Sequence, residues 1–224
     1  MFKAVFLDFY GTLVHEDDVW IEAICNRILA SSSVQATTGE IGRFWWDSFS
    51  SRFIPSYGNA FITQRKIELQ ALEETIAFFE STCNPEELCR ILFNHWQAPP
   101  LFEDTVAFLR AIDVPPIIVS NIDRNDIEAA IQHNGLAFEH IITSEDARAY
   151  KPRADIFHQA LHISNLKPED VLHVGDSLTN DIIGAHNAGI RAAWINRKNK
   201  PTPQHCTPDY TVQSLTELIP LLKL

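Results

Sequence analysis

The chain lacks the features that would set it in a membrane, on a polyanion or outside the cell. No apolar run approaches the roughly 20 residues that span a bilayer as a helix, so a membrane-embedded protein is not expected. Basic side chains are scarce: 18 Lys and Arg against 29 Asp and Glu leave a formal net charge of -11. Such a surface repels nucleic acid and anionic lipid, which argues against both as partners and leaves small molecules as substrates. Cysteine occurs four times without a C-x-x-C pair, and Cys25, Cys83, Cys89 and Cys206 read as reduced core thiols. The first residues run straight into a strand pattern with no export leader, so a cytoplasmic location is expected.

What is present suits one sizeable core. The 224 residues are 46% hydrophobic, enough for one domain carrying a smaller insertion. Short continuous apolar runs at Ala4–Leu7, Pro116–Val119, His140–Thr143, Val171–Val174, Ala192–Ile195 and Tyr210–Val212 read as strands, the central ones buried on both faces. From position 99 onward they alternate with helices, expected at about 103–112, 123–134, 154–163 and 180–188, with a final helix opened by a Ser214/Glu217 capping box. Gly135 and Gly189 stop two of these helices. A polar, Pro-rich loop follows Ile195. Between Val14 and His95 the apolar period becomes helical, as in Ile41, Phe44, Trp45 and Phe49 or Leu69, Leu72, Ile76 and Phe79. About four helices are implied there, the last with Asn84 as N-cap and Pro85 at its first position. The fold class is therefore α/β: an open, Rossmann-like parallel sheet with helices on both faces, interrupted after its first strand by an all-helical insertion.

In such sheets ligands bind outside the carboxyl ends of the strands. Four strand ends here carry polar residues: Asp8; Ser120 and Asn121; Lys151; and Asp176 with Asp181. Carboxylates hold a hard cation through oxygen, lysine and hydroxyl groups bind an anion, and one carboxylate can act as nucleophile. Each motif alone is weak, since Asp, Gly, Ser and Asn are ordinary turn and cap residues. Their joint order carries the weight.

Asp8-Phe-Tyr-Gly-Thr-Leu, Ser120-Asn121, Tyr150-Lys151-Pro152 and Gly175-Asp176-Ser177-Leu-Thr-Asn180-Asp181 resemble the four motifs of the haloacid dehalogenase-like hydrolase superfamily. The resemblance covers residues 1–14 and roughly 99–200, and implies a core of 1–14 and 99–224 with residues 15–98 as a helical cap. It further implies that Asp8 forms a covalent aspartyl intermediate, that Thr12 and Ser120 orient or bind the transferring group, and that Lys151 balances charge. Asp176 and Asp181 would hold Mg2+ together with Asp8 and the Tyr10 backbone carbonyl, and Asn121 would contact substrate.

One position departs from the phosphatase pattern. Tyr10 stands where phosphatases carry the aspartate that protonates the leaving group, and in this it is similar to the dehalogenase branch, which usually lacks the acidic metal motif. Losing that acid matters least when the leaving group is weakly basic. Magnesium-dependent hydrolysis of a small phosphorylated metabolite is the first expectation. Carbon–halogen or carbon–nitrogen hydrolysis, and a non-catalytic binding protein of the same fold, are the alternatives.

Other residues have bland readings. His158 and His162 read as a solvated or packing face and His173 as a hydrogen-bonded core residue. Trp20, Trp45, Trp46 and Trp96 read first as core packing, with a substrate-facing aromatic wall as the alternative. Arg43 and Arg65 are candidate specificity residues, Arg43 for substrate binding.

Overall fold

Ala4–Leu7 forms β1 because four apolar residues in succession fill both faces of a covered sheet; all four are buried. In the computed structural model, which describes residues 1–201 and 206–223, β1 lies between β2 (Pro116–Ser120) and β4 (Val171–Gly175). The strands β3 (Ile141–Thr143), β5 (Arg191–Ile195) and β6 (Tyr210–Val212) complete a six-stranded, wholly parallel sheet of order β3-β2-β1-β4-β5-β6. Successive residues divide between its faces. Val5, Leu7, Ile118 and Val174 join one apolar cluster, while Ala4, Phe6, Ile117, Val119 and Val171 join the other.

The expected α/β architecture is present, with α1 (Asp18–Ser31), α2 (Thr38–Phe53), α3 (Gln64–Phe78) and α4 (Pro85–Gln97) inserted between β1 and β2. Asn84 caps α4, its Oδ1 accepting the Glu87 N–H at 3.0 Å. Beyond them come α5 (Thr105–Ala111), α6 (Arg124–His133), α7 (Ser144–Ala147) and α8 (Ala154–Ser164). The helix expected at 180–188 begins earlier, as a π-turn Leu178–Ile183 leading into α9 (Gly184–Asn187), because Ser177 Oγ caps the Asn180 N–H at 3.1 Å. The final helix is a 3-10 turn, Leu215–Leu221, with the Ser214/Glu217 box in place. In the Pro-rich loop after Ile195, residues 202–205 lie outside the described residues.

Two expectations need correction, those for the tryptophans and for Arg65, and one acidic residue takes a long-range capping role. Asp123 does not cap its own helix; its carboxylate accepts the Gln64 and Arg65 N–H groups at 2.8 and 2.9 Å, capping α3 instead. Trp20 and Trp46 are 42% and 64% exposed and so are not core residues, unlike Trp45 and Trp96. Arg65 is held by Asp126, donating from Nε at 2.7 Å, with its guanidinium over the Phe93 ring. No helix among the described residues is long and apolar enough to cross a membrane.

Candidate active site

Strand ends converge because parallel neighbours in register finish together. Leu7 pairs with Ile118 and Val174, so Asp8, Ser120 and the Gly175–Asp181 turn meet at one edge. Asp8 is 6% exposed. Lys151 Nζ donates to Asp8 Oδ1 at 2.7 Å, to Asp181 Oδ1 at 2.6 Å and to the Val119 carbonyl at 3.1 Å, so all three of its donors are engaged. Ser120 Oγ donates to Asp8 Oδ1 at 3.0 Å and Thr12 Oγ1 to Asp8 Oδ2 at 3.3 Å.

Asp181 is also held by its Oδ2, which accepts the Ser177 N–H at 3.0 Å, and by His173 Nε2, 3.0 Å from Oδ1. His173 is thus the hydrogen-bonded core residue expected of it, and among the described residues its Nδ1 has no partner. Exposed His158 and His162 lie on a solvated face, as expected.

Asp8, Asp176 and Asp181 each bring a carboxylate oxygen within 4.8 Å of the others. Glycine makes the approach possible. A Cβ on Gly175 would fall 2.1 Å from the Asp181 carboxyl carbon, and one on Gly11, whose φ is +83°, would fall 2.7 Å from that of Asp176. The Asp176 carbonyl is anchored by the Trp194 indole at 2.8 Å.

Electrostatics follow from burial. Desolvation raises Asp8 despite Lys151, and raises Asp176 well above the carboxylate range with the help of Asp181 and Asp8. Desolvation would also raise Asp181, but Lys151 and His173 overcome it and hold that carboxyl well below its ordinary value. For Lys151 the penalty of burial is outweighed by Asp181 and Asp8, so it stays protonated. One ammonium therefore pairs with two carboxylates while a third is left without a cation.

Several candidates behave differently from the expectation. Asn121 is tied to the lysine: its Nδ2 donates to the Lys151 carbonyl at 3.0 Å and its Oδ1 accepts the Lys151 N–H at 2.7 Å, fixing the lysine backbone. The Tyr10 phenol turns toward the inserted helices and donates to the Trp96 carbonyl at 2.5 Å; desolvation, then Asp126 and Asp8, raise its pKa well above 10.0. Arg43 is exposed on α2 and lines neither of the two cavities that flank the cluster.

The smaller of those cavities reaches the cluster at Asp176, and the larger reaches Lys151, the partner of Asp8 and Asp181. One of about 320 Å3 is lined by Gly11 and Asp176 with Arg197 and Lys198; the other, about 820 Å3, reaches from Lys151, Asn121 and Ser177 up to α2 and α3. Asp17 and Glu68 line the larger one, and neither was singled out from sequence. Each carboxylate accepts an indole N–H, Asp17 from Trp96 at 2.8 Å and Glu68 from Trp45 at 2.7 Å. These pairs span 79 and 23 residues, beyond any local spacing signal.

A family model described as haloacid dehalogenase-like hydrolase matches residues 2–189. Haloacid dehalogenase-like hydrolase domain-containing protein 3 of Danio rerio is 34% identical over 143 residues, 62% of this chain and 55% of that protein. Pyrophosphatase PpaX of Bacillus mycoides is 25% identical over 230 residues, covering 98% and 96% of the two chains. Among solved structures, L-2-haloacid dehalogenase from Xanthobacter autotrophicus superposes with a TM-score of 0.77 at 18% identity over 99% and 98% of the chains, a likeness of fold.

Proposed function

The chain belongs to the haloacid dehalogenase-like hydrolase family, and from that premise we propose that it is a Mg2+-dependent phosphoryl hydrolase of a small phosphorylated metabolite, with Asp8 as nucleophile. The carrying observation is the carboxylate set: three within 4.8 Å, with Lys151 bonded to only two of them. Hard oxygen donors in this number suit a hard divalent cation, held by Asp8, Asp176, Asp181 and the Tyr10 carbonyl. When bound, that ion offsets the carboxylate charge and the charge of the phosphoryl oxygens. The relatedness to a pyrophosphatase along nearly the whole chain agrees with phosphoryl chemistry.

In this reading an Asp8 oxygen attacks phosphorus, the bond to the leaving oxygen breaks, and that oxygen takes the electron pair. Water then hydrolyses the aspartyl phosphate, returning Asp8 and releasing phosphate. Lys151 and Ser120 fix the Asp8 carboxylate, Thr12 steadies its second oxygen, and Asn121 holds Lys151 in place. Asn121 thereby acts as a positioning residue. Helices α1 to α4, residues 15–98, serve as a cap that shields the reaction from water.

Tyr10 favours a second reading. With its proton committed to the Trp96 carbonyl it supplies no acid, which suits attack at carbon with loss of halide, a leaving group that needs no proton. Incubation with acetyl phosphate, aryl phosphates and 2-haloacids decides between them. Phosphate release that EDTA abolishes, Mg2+ restores and Asp8→Asn eliminates is expected. Halide release in the presence of chelator, without phosphate release, would sink the first reading in favour of the second.

A further inference from the structure

The 820 Å3 cavity has an aromatic wall of defined order. Trp46, Phe49 and Phe53 follow one another along α2 and lead onto Tyr150, with ring centroids 5.9, 5.4 and 4.2 Å apart and interplanar angles of 20°, 27° and 35°. All four line the cavity, and Trp46 at the far end of the ladder is 64% exposed. A water-facing Trp at the end of a stack offers a surface on which another flat ring gains contact.

The charged groups of that cavity weigh against a second anion. Its basic lining residues are Lys151, fully engaged by Asp8, Asp181 and Val119, and Arg153, which lies 3.8 Å over the Tyr57 ring and donates to Asp155. Its acidic residues, Asp17 and Glu68, sit on the side of the inserted helices. Among the described residues Glu68 has a single hydrogen-bond partner, the Trp45 indole on Oε1. Gln64 and Ser50 also line the cavity, and among the described residues their Oε1 and Oγ have no partner, so a ligand donor that either side chain could turn toward would relieve a real cost.

Resting on the phosphoryl reading above, we propose that this cavity takes the organic half of the substrate, a planar aromatic or heteroaromatic group with N–H or O–H donors on its edge and no negative charge beyond that of the transferring group. The committed Tyr10 phenol agrees with it, because an oxygen borne on an aromatic ring is a weakly basic leaving group that departs without a strong acid.

The test compares kcat/KM with Mg2+ at pH 9, above the value of about 8 to which burial pushes Glu68, for 4-aminophenyl, phenyl and 4-carboxyphenyl phosphate, with acetyl phosphate, an acyl phosphate, as the substrate lacking a ring. Intrinsic leaving ability favours the carboxyphenyl ester. The enzyme is expected to reverse that order, with at least about tenfold between the amino and carboxy esters, the effect of one or two hydrogen bonds and an unfavourable charge. Glu68→Gln is expected to narrow that gap, and Trp46→Ala, at an exposed position that does not threaten folding, to raise KM for the ring esters at least about fivefold. Equal or better turnover of 4-carboxyphenyl phosphate, or a Trp46→Ala enzyme with unaltered KM, would overturn the assignment while leaving the phosphoryl reading intact. Should none of the four release phosphate, that reading fails, and calorimetric titration then judges the cavity alone: 4-aminophenol is expected to bind more tightly than 4-hydroxybenzoate, and the reverse order overturns the inference.

Discussion

Replacing Glu68 by Gln should stabilise the protein above neutral pH and leave it nearly unchanged in acid. Glu68 is buried on α3, where desolvation, then the charge of Asp17, raises its pKa from the ordinary 4.5 to about 8, against a lowering by the Trp45 indole. The unfolded chain gives up this proton near 4.5 and the folded chain near 8, so between those values unfolding releases a proton and stability falls as pH rises. At about 1.4 kcal/mol for each unit of pKa, the ionised carboxyl costs folding on the order of 5 kcal/mol above pH 8. Water entering from the adjoining cavity lowers this to about 2–3 kcal/mol. Below pH 4.5 the cost vanishes, because both states hold the proton. Glutamine retains an oxygen for the indole and does not titrate. Urea unfolding of both proteins at pH 5 and pH 8.5 reads the difference, with other titrating groups cancelling between wild type and variant. A gain confined to the higher pH is expected; the same pH dependence in both proteins would refute the reasoning.

Three further outcomes follow from the site and its supports. Lys151→Met strips the ammonium from Asp8 and Asp181, leaving buried carboxylates unpaired; a loss of about 3–5 kcal/mol is expected in chemical denaturation, together with loss of turnover. Gly11→Ala places a Cβ 2.7 Å from the Asp176 carboxyl carbon at a φ of +83°, so Mg2+ affinity measured by calorimetry should fall at least about tenfold, while stability drops by about 1–2 kcal/mol. Asp123→Ala frees two N–H groups at the start of α3 and should cost about 1–2 kcal/mol in thermal or urea unfolding, whereas an unchanged midpoint would deny the capping role.

The strand ends were legible because the same short apolar runs that mark buried strands are followed directly by polar residues, and parallel register then brings those residues together without further information. Asp8, Ser120 and Asp176 are of this kind, while Lys151 and Asp181 come from the segments that follow β3 and β4. What lay over them was not legible, and α2 shows why. At about 100° per residue, Ile41, Phe44, Trp45 and Ser48 form one stripe, and Gly42, Trp46, Phe49 and Phe53 a second roughly a third of a turn away. The first packs into the core, where Ile41, Trp45 and Ser48 are buried; the second faces the cavity. Read as a single period, the two merge into an ordinary core face, and Arg43 beside them looks available to a substrate although it falls outside both. The polar half of the cavity is hidden for another reason. Asp17 and Glu68 are surface-like letters in helical segments, and only tertiary pairing with Trp96 and Trp45 makes them buried acceptors. Likewise the identity of residue 10 was plain from the sequence, but whether its phenol faced the reacting atoms depended on a carbonyl 86 residues away. On the proposed reading, the local rules of strand and turn specify where attack occurs, while long-range contacts of the inserted helices determine what is attacked. Variation at Trp46, Phe49, Gln64 and Glu68 should therefore alter substrate preference without moving the nucleophile.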